Sequence, residues 1–218
     1  MSQSLGFRKF ENRLKQLRRH LLPKAFSLTG DYSPRQLDMV MAYRLLCHAE
    51  IENHIENSAK EVVLAKVKES KAGLCNLTSL TLLAYHRTGW DGLLSGDEDI
   101  APLAKVDSPN PFKNPLGKLL DEAISDYLGR IIRFNHGIRI DNLHRVLKPI
   151  GVDFDSVDET WLATIDAFGQ ARGETAHKSA VGVTRPIDPK DELDRIEAIL
   201  IGLKVLDESL SMLLKSKK

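Results

Sequence analysis

Apolar residues recur every three to four positions along most of the chain, and no segment alternates apolar and polar residues as a strand does. The longest pattern follows Ser33, a suitable helix N-cap, and Pro34, which suits the first helical position. Its apolar members lie at Leu37, Met41, Leu45, Ile51 and Ile55. The pattern predicts a helix that continues to about Lys71, in a chain that is all-α.

Shorter helical patterns surround this one. An amphipathic arm runs from about Ser4 to Lys24 and ends at the turn-forming TGDYSP, and a short helix is predicted within NLTSLTLLAYHRTGW. Another pattern extends from Leu116 to Phe134, and a further short helix lies in RIDNLHRVLKPIG. We predict that residues 1–30 form an N-terminal amphipathic helical arm. Residues 33–215 are predicted to form a helical bundle with a loop insertion near 91–115, where Gly, Pro and Asp are frequent.

The last two long helices have clear start signals. SVDE is typical of a capping box, in which Ser156 caps the helix and Glu159 bonds back to the cap. Asp188 followed by Pro189 marks the start of the C-terminal helix. The inward-facing side chains expected after SVDE are Trp161, Ile165 and Phe168.

Charge and cysteine content narrow the possible functions. The 31 Lys and Arg residues nearly balance the 30 Asp and Glu residues, for a net charge of +1. Because no global field attracts nucleic acid, an anion site must be local. We expect a cytoplasmic protein with no membrane segment, because no apolar run is long enough for a signal core or a bilayer span. Cys47 and Cys75 lack metal-site spacing, so we expect buried reduced thiols, no metal and no cofactor.

The stretch QARGETAHKS places Arg172 and His177 near the end of a helical pattern. This spacing is not informative alone, since the chain repeats it loosely at three other places: Arg13 to His20, Arg130 to His136 and Arg139 to His144. Position is more informative. On a helical wheel Arg172 prolongs the inward face, and His177 lies roughly 140° further round, at the flank of that face. The two side chains either converge on a common anion or fill a structural role.

A second anomaly lies in YRLLCHAEIENHIEN, where Arg44, His48 and Glu52 form an i, i+4, i+8 ladder on the core-facing side of the long helix. Ionisable groups are rarely buried without partners. The ladder is either an internal ion-pair network that fixes helix register or a support that orients Arg172. We predict that Glu52 pairs with Arg172. The nearby pair of Glu50 and His54 is interpreted as solvated helix surface.

With these residues the chain resembles members of the HEPN superfamily, and it is most similar to the RiboL-PSP type. The resemblance rests on CHAEIENHIE, on NHGIRIDNLHRVLKPIG leading to ETWLATIDAFGQARGETAH, and on the closing amphipathic helix. It implies an up-and-down four-helix bundle that commonly forms a homodimer and brings two Arg-x4-6-His motifs into one cleft. Many such domains are metal-independent endoribonucleases of toxin, antiphage defence or RNA-processing systems.

The resemblance implies that Arg172 and His177 are the catalytic pair. From their positions in the sequence, we predict that Arg44, His48, Glu52 and Glu174 support this pair. The residue after the motif Arg is usually polar, often Asn, and here it is Gly173. Two functions therefore stay open besides a purely structural helical adaptor. One is an endoribonuclease with RNA as substrate and an antitoxin or defence-system protein as partner. The other is a non-catalytic module that binds RNA, nucleotide or a partner protein.

Overall fold

Helices make up nearly all of the chain that this computed structural model describes, namely residues 3–89, 115–177 and 187–215, with the backbone alone at 115 and 174–177. In order they are α1 (Leu5–Leu21), α2 (Pro34–Lys71), α3 (Leu77–Thr88), α4 (Pro115–Asp126), α5 (Ile140–Leu147), α6 (Glu159–His177) and α7 (Pro189–Lys215). A π-helical segment, Tyr127–Ile132, continues α4, and a 3-10 turn, Lys148–Ile150, continues α5. No strand occurs within these described ranges, and the predicted all-α fold is confirmed.

The start of α2 is fixed by a reciprocal pair of hydrogen bonds. The amide of Gln36 donates to Ser33 Oγ (3.3 Å), and the amide of Ser33 donates to Gln36 Oε1 (2.9 Å). This arrangement satisfies two amides that the first helical turn leaves without partners. The predicted cap and the predicted end at Lys71 are both confirmed.

The predicted capping box at SVDE is wrong. The helix α6 begins at Glu159, and its cap is Asp158, whose Oδ1 accepts the amide of Trp161 at 2.7 Å. Ser156 instead donates its hydroxyl to the carbonyl of Asp153 at 3.0 Å. A carboxylate directly before the helix reaches the free amides and also interacts favourably with the helix dipole. The predicted cap of α7 is confirmed, since Asp188 Oδ1 accepts the amide of Lys190 at 2.7 Å.

The chain forms two compact units, and the candidate residues all belong to the first. Unit 1 contains Met1–Ile55, Gly137–Ile140 and Val157–Glu208. Here α1 is held to α7 by Ser4, whose amide and hydroxyl donate to the Asp207 carboxylate at 2.9 and 2.6 Å. Helices α6 and α7 are joined by the indole of Trp161, which donates to the carbonyl of Ile199 at 2.9 Å.

The buried side of α2 in unit 1 agrees in part with the predicted one. Leu37, Met41 and Leu45 are only partly buried, whereas Ile51 and Ile55 are buried as predicted. Val40, Tyr43 and Cys47 complete the buried apolar positions of this part of the helix. Arg44 and His48 are buried between them, so their predicted place on the core-facing side is confirmed.

Unit 2 contains Glu56–His136, Asp141–Ser156 and Ser209–Lys218. Its polar groups fasten helix ends to one another: the Tyr127 hydroxyl donates to the Val146 carbonyl at 2.7 Å, and the Thr78 hydroxyl to the Ile150 carbonyl at 2.9 Å. The predicted insertion near 91–115 lies outside the described residues, apart from the backbone of residue 115. Every helix in the described ranges is too short or too polar to span a lipid bilayer.

Candidate functional site

The two candidate catalytic residues lie on one continuous helix. Helix α6 runs from Glu159 through His177, so Arg172 and His177 are about 7.5 Å apart along its axis at 1.5 Å per residue. The inward face of α6 carries Ile165 and Phe168, both fully buried, and Arg172 continues this face as a partly buried residue. The side chains of Glu174 and His177 lie outside the described part of the molecule.

His48 of α2 is a buried polar group that faces α6. Its side chain is almost completely enclosed, and its ring lies 6.1 Å from that of Phe168, centroid to centroid. Burial, followed by the positive charge of Arg172, lowers the pKa of His48 to about 4. At neutral pH the imidazole is therefore uncharged, and the positive charge at this place belongs to Arg172.

The other members of the ladder face different partners. Arg44 forms a bidentate ion pair with the buried Glu192 of α7, with Nε to Oε1 at 2.9 Å and Nη2 to Oε2 at 2.5 Å. Glu52 Oε2 lies 3.7 Å from His48 Nδ1. The predicted pair of Glu52 and Arg172 stays a prediction. The supporting roles of Arg44, His48 and Glu52 stay predictions.

A clamp on α6 was missed by the sequence analysis. Asp166 accepts the amide of Ile140 at 3.0 Å and the guanidinium of Arg139 at 3.2 and 3.3 Å. Partial burial opposes ionisation of Asp166, but these bonds outweigh it and lower the pKa of the carboxyl group. Gly169, one turn further along α6, leaves room for Arg139, because a Cβ there would lie 2.9 Å from Arg139 Cγ. In the sequence, the only sign of this clamp is the glycine at position 169.

Gly173 differs from Gly169 in its surroundings. A Cβ built at Gly173 meets nothing within 4 Å, and the residue has ordinary helical geometry. Neither close packing nor backbone strain therefore requires glycine at this position. Packing therefore does not explain why this chain has glycine where a polar residue usually follows the motif arginine.

Two weaker expectations are wrong. His54 is not solvated, since it stacks on Phe10 of α1 at 4.4 Å between centroids, and burial lowers its pKa. Glu50 pairs with Arg13 of α1 at 2.9 Å instead of with His54. Of the two cysteines expected to be buried, Cys47 is buried and Cys75 is exposed. Burial raises the pKa of Cys47 to about 12, so its thiol is unreactive at neutral pH.

Comparison with known proteins places these features in a family. A family model described as RiboL-PSP-HEPN matches residues 8–212, which extend from α1 almost to the end of α7. Comparison with curated proteins and with solved structures gave no match. Among the described residues, no group of three or more His, Cys, Asp or Glu side chains is arranged to hold a metal ion.

Proposed function

We propose, because this chain belongs to the RiboL-PSP-HEPN family, that it is a HEPN module that cleaves RNA without a metal ion. One observation carries the proposal: α6 keeps Arg172 and His177 on one uninterrupted helix, with the partly buried Arg172 beside a neutral His48. A guanidinium at the edge of a core, next to a group that adds no charge of its own, suits a phosphate ligand.

The chemistry needs a base, an acid and a cation. A base removes the proton of the ribose 2′-hydroxyl, and the oxygen attacks the adjacent phosphorus. The bond from phosphorus to the 5′-oxygen breaks, and an acid donates a proton to that leaving oxygen. The products are a 2′,3′-cyclic phosphate and a 5′-hydroxyl. Arg172 is assigned to the negative charge that builds up on the phosphorane oxygens.

A homodimer supplies the two proton-transfer groups. Histidine has an ordinary pKa of about 6.5, so it can accept or donate a proton near neutral pH. His177 of one protomer would act as the base and His177 of the other as the acid. Two Arg172 side chains would then lie on either side of the phosphate. His48, with its pKa near 4, is unsuited to the acid role at neutral pH.

The test compares purified variants on a fluorescent single-stranded RNA in the presence of EDTA. We expect wild-type cleavage to resist chelation, because no step uses a metal ion. We expect His177→Ala and Arg172→Ala each to lower the rate by at least about 100-fold, the usual contribution of a general acid or base or of a charge-stabilising group.

His20 provides a matched control, because it completes one of the chance Arg-to-His spacings and is exposed on α1. His20→Ala should cleave at the wild-type rate. Loss of wild-type cleavage on chelation, or equal rates for wild type and His177→Ala, would contradict the proposed mechanism. Mass in solution, measured on the same samples, tests the dimer.

A second function is favoured by Gly173, which replaces the usual polar residue of the motif. In this alternative the chain is a non-catalytic HEPN module that binds RNA, nucleotide or a partner protein. Induced expression separates the two. Growth arrest that disappears in both Arg172→Ala and His177→Ala supports an RNA-cleaving toxin or defence effector held in check by a partner, whereas normal growth of cells expressing the wild type supports the binding module.

A further inference from the structure

Helix α1 carries much more positive charge than the rest of the chain. Its six Lys and Arg residues and one Glu give it a net charge of +5. Since the whole chain has a net charge of +1, the remainder carries +1 minus +5, or −4. The small net charge of the chain is therefore the sum of one strongly cationic helix and a mildly anionic remainder.

The fold leaves only the cationic side of α1 exposed. The apolar side is used inside unit 1, where Phe7, Phe10, Leu14 and Leu17 are all buried. On the opposite side, Arg8, Lys15 and Arg19 are exposed and fall within about 40° of one another on a helical wheel. We call these three residues the basic row. From Arg8 to Arg19 it extends over eleven helical steps, or about 16 Å, along one face.

Fixed contacts hold this helix in place. Ser4 bonds to Asp207 at its start, the Phe10 ring stacks on His54, and Arg13 pairs with Glu50 at 2.9 Å. Because Arg13 already pairs with Glu50, it is not counted in the basic row. Lys15 has a weak local partner in Glu11, at 3.1 Å on an exposed surface. The basic row thus faces solvent on a helix that the fold holds in place.

Helix stability alone does not account for this charge. Cations near a helix C-terminus interact favourably with the helix dipole, which explains Arg18 and Arg19. The dipole gives no such support to Arg8 and Lys9, which lie near the start of the helix, and the first turn has no acidic residue to pair with them. A membrane-surface role also fits poorly, because such helices insert the apolar face that α1 uses in the protein core.

We propose that the basic row of α1 holds the phosphate backbone of RNA. The inference rests on the proposed function in one respect, that RNA is the ligand of the Arg172 site. A line of cations on a protein whose remaining residues carry a net charge of −4 attracts a polyanion locally and contacts successive phosphates without reading bases. The row therefore supplies affinity, and cleavage chemistry stays with the Arg172 site.

The experiment measures binding, with no cleavage step. The probe is a fluorescent 2′-O-methyl oligouridine, which lacks the attacking hydroxyl, titrated with full-length protein at several salt concentrations. The test variant is Arg8→Gln/Lys15→Gln/Arg19→Gln, since glutamine keeps a similar helix propensity. The control variant, Lys68→Gln/Lys118→Gln/Lys204→Gln, removes the same charge from exposed positions outside α1.

We expect the test variant to bind at least about tenfold more weakly at low salt. Its plot of log affinity against log salt should be shallower by about 2, because each single-strand phosphate contact contributes a slope of about 0.7. The control should stay near wild type, and circular dichroism of both variants should match wild type. Weaker binding with an unchanged salt slope, or an equal loss in the control, overturns the proposal.

The result is separable from the proposed function. A wild-type protein that binds the uncleavable probe through the basic row and yet leaves ordinary RNA intact supports this inference and contradicts the nuclease. If wild type cleaves ordinary RNA and the α1 variant binds the probe as tightly as wild type does, the nuclease is supported and this inference is contradicted. Tighter binding of wild type to anionic phospholipid vesicles than to the probe assigns the row to a membrane and also overturns the proposal.

Discussion

The ionisable residues on the buried sides of α2 and α6 differ in how their charges are balanced. Arg44 is neutralised by Glu192, which is itself almost fully buried. His48 loses its charge by burial, and Asp166 keeps its charge because Arg139 and Ile140 bond to it. Arg172 is partly exposed, and among the described residues its charge acts on the neutral His48. Arg172 is thus more exposed than Arg44, which agrees with its predicted role as the cation that meets a ligand.

The first residue-scale prediction concerns Gly173. We expect Gly173→Asn to raise the rate of RNA cleavage, because it restores the polar group that usually follows the motif arginine. The substitution fits sterically, since a Cβ at this position meets nothing within 4 Å. The measurement is the initial cleavage rate of the fluorescent RNA at saturating protein.

Gly173→Ala is the matched control for this change. Alanine adds a Cβ and stiffens the helix without adding a polar group, and we expect it to raise the free energy of unfolding by about 0.5–1 kcal/mol. It should leave the cleavage rate unchanged. A similar gain in cleavage for both variants would mean that helix stiffness, and not a polar contact, limits the site.

At the scale of elements, the packing of α6 on α7 depends on another glycine. Gly202 of α7 lies under the indole of Trp161, and a Cβ there would be 2.3 Å from the ring. The indole is also anchored by its bond to the Ile199 carbonyl. Because the ring cannot retreat without losing this bond, α6 and α7 are held at a separation that only glycine allows.

We therefore expect Gly202→Ala to lower the free energy of unfolding by about 1–3 kcal/mol, the usual cost of overpacking a core. The measurement is a urea titration followed by tryptophan fluorescence and circular dichroism. Gly173→Ala serves again as the comparison, because it adds the same methyl group in open space. Equal midpoints for the two variants would show that Trp161 repacks at no cost.

The same elements indicate how far the sequence predicts this fold. The bounds of α2 follow from Ser33, Pro34 and the helical period, since these signals are local. The cap of α6 was misplaced by two residues, because two acceptors, Ser156 and Asp158, both suit a cap and only the fold selects one. The π-helical segment Tyr127–Ile132 has no signal of its own in the apolar spacing.

For the candidate site too, the sequence predicts what depends on local signals and not what depends on distant contacts. Arg172 and His177 can be predicted as a pair from the sequence because both lie on one helix, and the match to the family extends over that helix. The partners of the ladder residues cannot be predicted in this way, because Glu192, which pairs with Arg44, lies 148 residues further along the chain. For the same reason the stacking of His54 on Phe10, between α1 and α2, was missed.

At the scale of the whole molecule, stability should depend on pH through His48. Its pKa is about 4 in the folded chain and about 6.5 in an unfolded one. Between these values the unfolded chain binds a proton that the folded chain excludes, so stability is complete above pH 6.5 and falls as the pH drops toward 4. From pH 7.5 to pH 5 we expect a loss on the order of 2 kcal/mol from this residue. His54, whose pKa burial also lowers, adds a loss of the same sign.

The measurement is the free energy of unfolding from urea titrations at pH 7.5 and pH 5, with wild type, His48→Gln and His20→Gln compared at each pH. His20 is exposed on α1, so His20→Gln should keep the full wild-type difference between the two pH values. His48→Gln removes the titrating group, and its difference should shrink by about 2 kcal/mol even if the variant is less stable at both pH values. If His48→Gln keeps the whole difference, then His48 takes up its proton in the folded chain over the same pH range as in the unfolded chain, and the lowered pKa assigned to it is wrong.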